Sequence, residues 1–305
     1  MKKFKATVLA AVFAAGMMSA LACAEETETE VTTEAVSVAA ESGTESQVAS
    51  KDEMAPVEDI VTEDMTPVYA DSLVDGVYSI KVDSSSSMFS IEECELTVAD
   101  GKMTAVMTMG GTGYLYLYMG TGEEAVAASE EEYIPFVETE DGKHTFEVPV
   151  EALDMGVDCA AFSKKKEKWY DRTLVFRADS LPQEAFAEGT ITSLEDLNLE
   201  DGSYQIEVGL EGGSGRATVE SPATLTVADG KATATIIWSS NSYDYMIVND
   251  EKLEPVTMEE HSTFEIPVTG FDWKMPVVAD TIAMSTPHEI EYTLYFDSST
   301  IEKAE

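Results

Sequence analysis

Six basic residues, Lys164, Lys165, Lys166, Lys168, Arg172 and Arg177, fall within 14 positions of a 305-residue chain whose formal charge is −41. Cations concentrated in this way pair with carboxylates, either of an anionic small molecule or of an acidic partner face. The same cluster also reads as a solvated hairpin tip whose lysines meet the protein's own acids. A second chemistry is aromatic. Tyr114, Tyr116 and Tyr118, and later Tyr243 and Tyr245, alternate along strand-like runs. Alternation puts such rings on one face, as a platform for a planar ring or a sugar, or as cross-strand packing. Gly212-Gly213-Ser214-Gly215-Arg216 joins a flexible backbone to one guanidinium, an anion-loop pattern of low specificity. Catalytic constellations are missing. His144, His261 and His288 have no metal-ligand spacing. Gly-x-Ser-x-Gly, Walker and dinucleotide motifs are absent, as is an Asp-x-Asp-x-Asp-Gly calcium loop. Glu130-Glu131-Glu132 reads as a solvated run. A binding protein, not an enzyme, is the expectation.

The charge is unevenly spread. Residues 1–22 carry +3, residues 23–68 carry −12, residues 69–180 carry −13 and residues 181–305 carry −19. No general basic field exists to displace phosphate counterions or to adsorb on anionic lipid, so nucleic acid is excluded as a partner. Residues 1–22 have a basic start, an apolar run from Ala6 to Met18 and small residues before Cys23, the layout of a signal peptide. Ala20-Leu21-Ala22-Cys23 resembles a bacterial lipobox, which implies lipidation of Cys23 and a membrane contact made only through the lipid. Cleavage after Ala22 or Ala24, giving a secreted protein, is the alternative. Residues 23–68 are acidic, Thr/Glu-rich and free of aromatic residues, the composition of a disordered tether.

The remainder repeats. Asp75-Gly76-Val77-Tyr78 returns as Asp201-Gly202-Ser203-Tyr204, and Leu96-Thr97-Val98-Ala99-Asp100-Gly101-Lys102 as Leu225-Thr226-Val227-Ala228-Asp229-Gly230-Lys231. Tyr118-Met119 aligns with Tyr245-Met246, Thr145-Phe146-Glu147-Val148-Pro149-Val150 with Thr263-Phe264-Glu265-Ile266-Pro267-Val268, and Thr173-Leu174-Val175-Phe176 with Thr293-Leu294-Tyr295-Phe296. Asp-Gly between alternating runs predicts two-residue hairpins, and Ala232, Ala234, Ile236 and Trp238 predict a strand with one buried face. The expected fold is all-β: two tandem immunoglobulin-like β-sandwiches, at 69–180 and 201–305, joined by a linker at 181–200 with one helical turn near Ser193 to Leu197. Cys94 shares parity with Leu96 and Val98 and should face the core. The alignment sets Ala223 against Cys94 and Ala279 against Cys159, so both cysteines are replaced together. That predicts a Cys94–Cys159 disulfide in an exported protein, with two buried free thiols as the alternative.

The order Asp-Gly-x-Tyr, Asp-Gly hairpin with Lys, aromatic strand, Thr-Phe-Glu-[Val/Ile]-Pro-Val and Thr-Leu-x-Phe resembles the near-iron-transporter (NEAT) domain. The likeness spans roughly 75–178 and 201–298. It implies an immunoglobulin-like surface domain of Gram-positive bacteria that captures haem or haemoproteins. By the same resemblance, the last hairpin carries Tyr-x-x-x-Tyr, whose first phenolate holds the iron. Here the second tyrosine is Tyr170, but the first position is Lys166; in copy two these positions are Thr286 and Ile290. Ser84-Ser85-Ser86-Ser87-Met88-Phe89 falls where the family covers its pocket, making Met88 a thioether ligand or an apolar lid. Two functions follow as expectations. One is a lipid-anchored receptor for haem or another planar anion, which hands its ligand to an ABC-type transporter. The other is an adhesion or envelope module that binds a protein or glycan.

Overall fold

The computed structural model describes residues 46–62, 65–283 and 286–304. The expected signal peptide at 1–22, Cys23 and the first part of the tether lie outside the described residues. Both Asp-Gly pairs form the expected turns. Asp100 and Gly101 have φ of 52° and 71°, and Asp229 and Gly230 have 51° and 71°. Two successive left-handed residues give the turn whose twist suits a two-residue hairpin, and Asp and Gly accept that backbone most readily.

The first sandwich contains β1 (Gly76–Ser79), β2 (Lys81–Ser84), β3 (Ile91–Ala99), β4 (Lys102–Met109), β5 (Tyr114–Tyr118), β6 (Ile134–Pro135), β7 (Val137–Glu138), β8 (His144–Val150), β9 (Val157–Ser163) and β10 (Trp169–Arg177). One sheet has the order β1-β3-β4-β8-β7 and the other β2-β10-β9-β5-β6. A short helix, α1 (Gly122–Ala127), follows β5. Thr121 caps it, with its hydroxyl accepting from the Glu124 amide and the Glu124 carboxylate accepting from Thr121. The second sandwich contains β11 (Gly202–Ile206), β12 (Val208–Gly212), β13 (Ala223–Ala228), β14 (Lys231–Ile237), β15 (Tyr243–Val248), β16 (Glu251–Leu253), β17 (Thr263–Val268), β18 (Lys274–Thr281), β19 (His288–Phe296) and β20 (Glu302–Lys303). Its sheets run β17-β14-β13-β11-β20 and β12-β19-β18-β15-β16. The repeat is therefore architectural: β1 to β6 and β8 to β10 have counterparts in the same spatial order. The chain is all-β, built as two pairs of packed five-stranded sheets.

Alternation places the apolar residues between the sheets. Leu96, Ala105, Met107, Phe146, Leu174 and Phe176 form the centre of the first core, and Leu225, Ala234, Ile236, Phe264, Leu294 and Phe296 that of the second. Cys94 faces the first core as expected. Cys94 and Cys159, the expected disulfide pair, stand as free, buried thiols on facing sheets. Burial pushes both up to about 12, which suppresses the thiolate that disulfide exchange needs. The register also corrects the alignment. Thr173 opposes Asp158 and Thr293 opposes Pro276, so the counterpart of Cys159 is Val277, not Ala279.

Two segments flanking the first sandwich are packed. Residues 46–68, expected within the disordered tether, include a segment hydrogen-bonded to the first sandwich. The Trp169 amide donates to Gln47 O and the Ala49 amide to Trp169 O, both at 2.8 Å. The Val68 and Leu153 amides donate reciprocally at 3.0 and 2.8 Å. The connection after β10 is also packed. Leu181 and Ala185 are fully buried, Phe186 bridges to Leu73, and Thr192 to Phe271. The expected helical turn is α2 (Leu194–Leu197), capped by Ser193. Its reach to both sandwiches brings Phe186 within 5.8 Å of Trp273, ring centre to ring centre.

Candidate functional site

At one end of the first sandwich, the segment after β2 (Ser85–Phe89), the start of β5 and the start of β10 converge. β10 alternates Trp169, Asp171 and Thr173 on one face with Tyr170, Arg172, Leu174 and Phe176 on the other. The last two enter the core, so Arg172 points to the same, inner face of the sheet. The residue is only 6% exposed. Nη1–H donates to Asp171 O at 2.7 Å and Nη2–H to Tyr114 Oη at 3.2 Å, while Nε has no hydrogen-bond partner. Among the described residues no carboxylate pairs with it. The Tyr170 ring lies 5.4 Å from its central carbon, an additional cation–π contact. A buried cation without a counter-charge costs several kcal/mol of desolvation and normally has a reason to be there.

Tyr114 connects this cation to the rim. Its hydroxyl, which accepts from Arg172, donates to Met88 O at 3.4 Å, and its ring lies 5.2 Å from that of Phe89. The Met88 side chain itself is 71% exposed, so it sits on the rim and is not directed at Arg172. Ser86 Oγ beside it is a second buried polar atom without a partner. The Thr173 amide donates to Ser85 Oγ and the Ser85 amide to Thr173 O, each at 2.9 Å, which ties the segment to β10.

The basic cluster splits into separate environments. Lys164, Lys165 and Lys166 are exposed at the β9–β10 tip. Lys168 Nζ pairs with Glu53 at 2.9 Å. Arg177 sits at the far end of β10, 3.4 Å from Asp179 and 3.7 Å from Asp83. That second network borders a cleft of about 790 Å³ between the sandwiches, also lined by Lys81, Glu211, Trp273 and Glu291. Lys81 and Glu291 make an ion pair across it, and Gln183 Nε2 donates to Thr269 O at 3.0 Å. Repeat alignment carries no information about this junction, because it lies between copies.

The tyrosine platform is corrected by two bulges. The pairing of β5 with β9 slips between Tyr114 and Tyr116, and that of β15 with β18 between Tyr243 and Tyr245. An extra residue reverses side-chain parity. Tyr114 and Tyr243 therefore belong to the interior, while Tyr116 and Tyr245 face outward. The same registers make Tyr116, not Tyr118, the counterpart of Tyr245. Tyr116 and Tyr118 instead join an outer aromatic cluster. Tyr116 packs on Tyr133 and Phe162, and Tyr118 flanks Trp169 and Ala125 of α1. In the second sandwich the positions of Phe162 and Trp169 are Asp280 and Glu289. Tyr245 O–H donates to Glu289 at 2.7 Å with Lys252 Nζ 3.4 Å above its ring. Burial, reinforced by the Asp244 carboxyl, pushes Asp280 up.

Among its described residues the second sandwich has no equivalent of the Arg172 site. Tyr292 stands in the position of Arg172 and Trp238 in that of Met109. Trp238, Tyr243 and Tyr292 fill the space, with Trp238 ring centres 4.0 and 5.1 Å from the two tyrosines. The two hydroxyls pair at 3.2 Å. In its glycine loop, two of the glycines lie close against β19. A Cβ on Gly212 (φ 107°) would meet Glu291 O at 2.7 Å, and one on Gly213 the Tyr292 ring at 2.8 Å. Close packing on β19 accounts for these two glycines, and Arg216 is exposed. Among the described residues no group of three or more His, Cys, Asp or Glu side chains is arranged to hold a metal ion. No protein-family model matches the chain, and no curated protein matches it.

Proposed function

We propose that the first sandwich is a non-catalytic receptor for a planar or carboxylate-bearing anion, with haem as the leading candidate, in an exported protein anchored through Cys23. One observation carries this reading: Arg172 is buried with an unpaired Nε–H and, among the described residues, no carboxylate partner, beneath Tyr114 and the exposed Met88. A ligand carboxylate reaching Arg172 would supply the missing counter-charge in a medium where such a bond is strong. Lys164, Lys165 and Lys166 at the adjoining hairpin tip would raise the local concentration of anions against the repulsion of an acidic chain. The NEAT resemblance adds haem to the candidates. Tyr170, which packs on Arg172, is the matching half of the family's tyrosine pair. The second sandwich, filled by its aromatic trio, takes no ligand at the equivalent place and acts as spacer or docking partner.

Titration of the mature chain with haemin tests the proposal. A shifted Soret band saturating near one equivalent is the expected result. Arg172→Met should weaken binding about 10-fold or more, the value of one charge-assisted hydrogen bond. Tyr170→Ala should weaken it and alter the spectrum if the phenol lies at the iron. Absence of any shift would remove haem. Absence of thermal stabilisation by citrate as well would remove the anion reading altogether.

A further inference from the structure

We propose that residues 47–58 form a strap that closes the open edge of β10 and regulates entry to the Arg172 site. The inference rests on the receptor reading above and adds its control. β2 ends at Ser84 and pairs only with Leu174–Arg177, leaving the first part of β10, which carries Tyr170 and Arg172, without a β2 partner. The strap spans that gap. Val48 makes a parallel bridge with Trp169, held by the bonds from the Trp169 amide to Gln47 O and from the Ala49 amide to Trp169 O. The Glu53 carboxylate accepts from Lys168 Nζ at 2.9 and 3.2 Å. Further on, the Glu58 amide donates to Ser85 O at 2.8 Å. Each anchor adjoins a site residue: Trp169 precedes Tyr170, and Ser85 precedes the unpaired Ser86.

The strap is attached but shallow. Between residues 46 and 62 only Ala49 is buried. Its hold is a few backbone hydrogen bonds, the contact of Val48 with the Trp169 cluster, and an ion pair that salt weakens. Segments with so little buried surface open locally while the sandwich beneath stays folded. The strap also leads directly from the N-terminal segment that begins at Cys23, so it is placed to couple the site to whatever holds that segment.

The test uses the full mature chain with two variants. Ala49→Pro removes the amide that bonds Trp169 O, and Glu53→Lys sets like charges against each other at Lys168. Hydrogen exchange at the Trp169 amide reports strap docking without any ligand, and stopped-flow haemin mixing reports access. Both variants should lose protection at Trp169 while β3 and β4 keep theirs, and haemin should enter about fivefold faster or more. High salt should move the wild type in the same direction. Loss of Trp169 protection with an unchanged haemin rate would overturn the strap alone. Retained protection in both variants would also overturn it. Failure of haemin to bind wild type and variants alike, together with no thermal stabilisation by citrate, would take down the receptor reading, and the strap's role with it.

Discussion

Replacing Arg172 by Met is expected to stabilise the empty protein while weakening its affinity for anions. Arg172 is 6% exposed and its guanidinium holds two donor groups on Asp171 O and Tyr114 Oη, with Nε unpaired. Removing such an ion from water costs several kcal/mol, and the hydrogen bonds it recovers return about 1.5–3 kcal/mol each at best. Methionine keeps most of the apolar stem's packing and forfeits about 0.5–2 kcal/mol of cation–π attraction to Tyr170. The net expectation is a gain of about 1–2 kcal/mol, in line with apolar replacement of buried charges elsewhere. Urea unfolding of the ligand-free protein, followed by far-ultraviolet circular dichroism, should show a midpoint about 0.5–1 M higher at unchanged slope. Tyr114→Phe supplies the opposite control. It leaves Nη2 without its acceptor and should lose about 1–3 kcal/mol. A loss of more than about 1 kcal/mol in Arg172→Met would mean that the fold itself satisfies the cation. No anionic ligand would then be needed to balance the charge.

Other outcomes follow from the same structure. Burial raises Asp154 above its ordinary 3.8, against the hydrogen bond from the Ala178 amide, which lowers it. The folded chain therefore binds that proton more tightly than the unfolded one. This contribution improves as pH falls from neutrality towards 3.8 and changes no further below it. Asp154→Asn keeps an oxygen for Ala178 and should stabilise the protein at pH 7 while flattening that stretch of the stability profile; a steeper profile would contradict the assignment. Trp238, fully buried between Tyr243 and Tyr292, should cost the second sandwich about 3–5 kcal/mol when changed to Ala, with haemin binding unaffected. Cys94 and Cys159 should resist iodoacetamide at pH 8 in the native protein and react on unfolding without reductant. A requirement for reductant would show them bonded to each other.

The strands and their hairpins could be read from local sequence because their determinants are local. Asp-Gly needs only its own backbone preference to make the turn at 100–101 or 229–230, and the alternation from Ala232 to Trp238 declares one buried face. The tyrosines show where such reading stops. A bulge is set by how β5 lies against β9, and one inserted residue moved Tyr114 inward while Tyr116 stayed outside. Equivalence of Cys159 with Val277 was hidden for the same reason, since it depends on cross-strand register. The six basic residues were visible as a cluster, yet composition could not separate the exposed tip, the Glu53 partner, the buried Arg172 and the junctional Arg177. Their directions depend on position along β10 and on which element covers each stretch. The strap at 47–58 carried no apolar pattern to announce it, because backbone hydrogen bonds to Trp169 and Ser85 hold it.

Taken by itself, the amino-acid sequence determined an all-β, twice-repeated chain with an acidic surface and one basic exception. Those properties follow from charge, alternation and turn chemistry, which are additive along the chain. Tertiary structure alone decided that one copy keeps a buried, unpaired arginine while the other fills the same space with Trp238, Tyr243 and Tyr292. It alone decided that part of an acidic leader lies against β10. The physical reason is that burial and pairing are properties of what surrounds a side chain, and strands distant in sequence supply those surroundings.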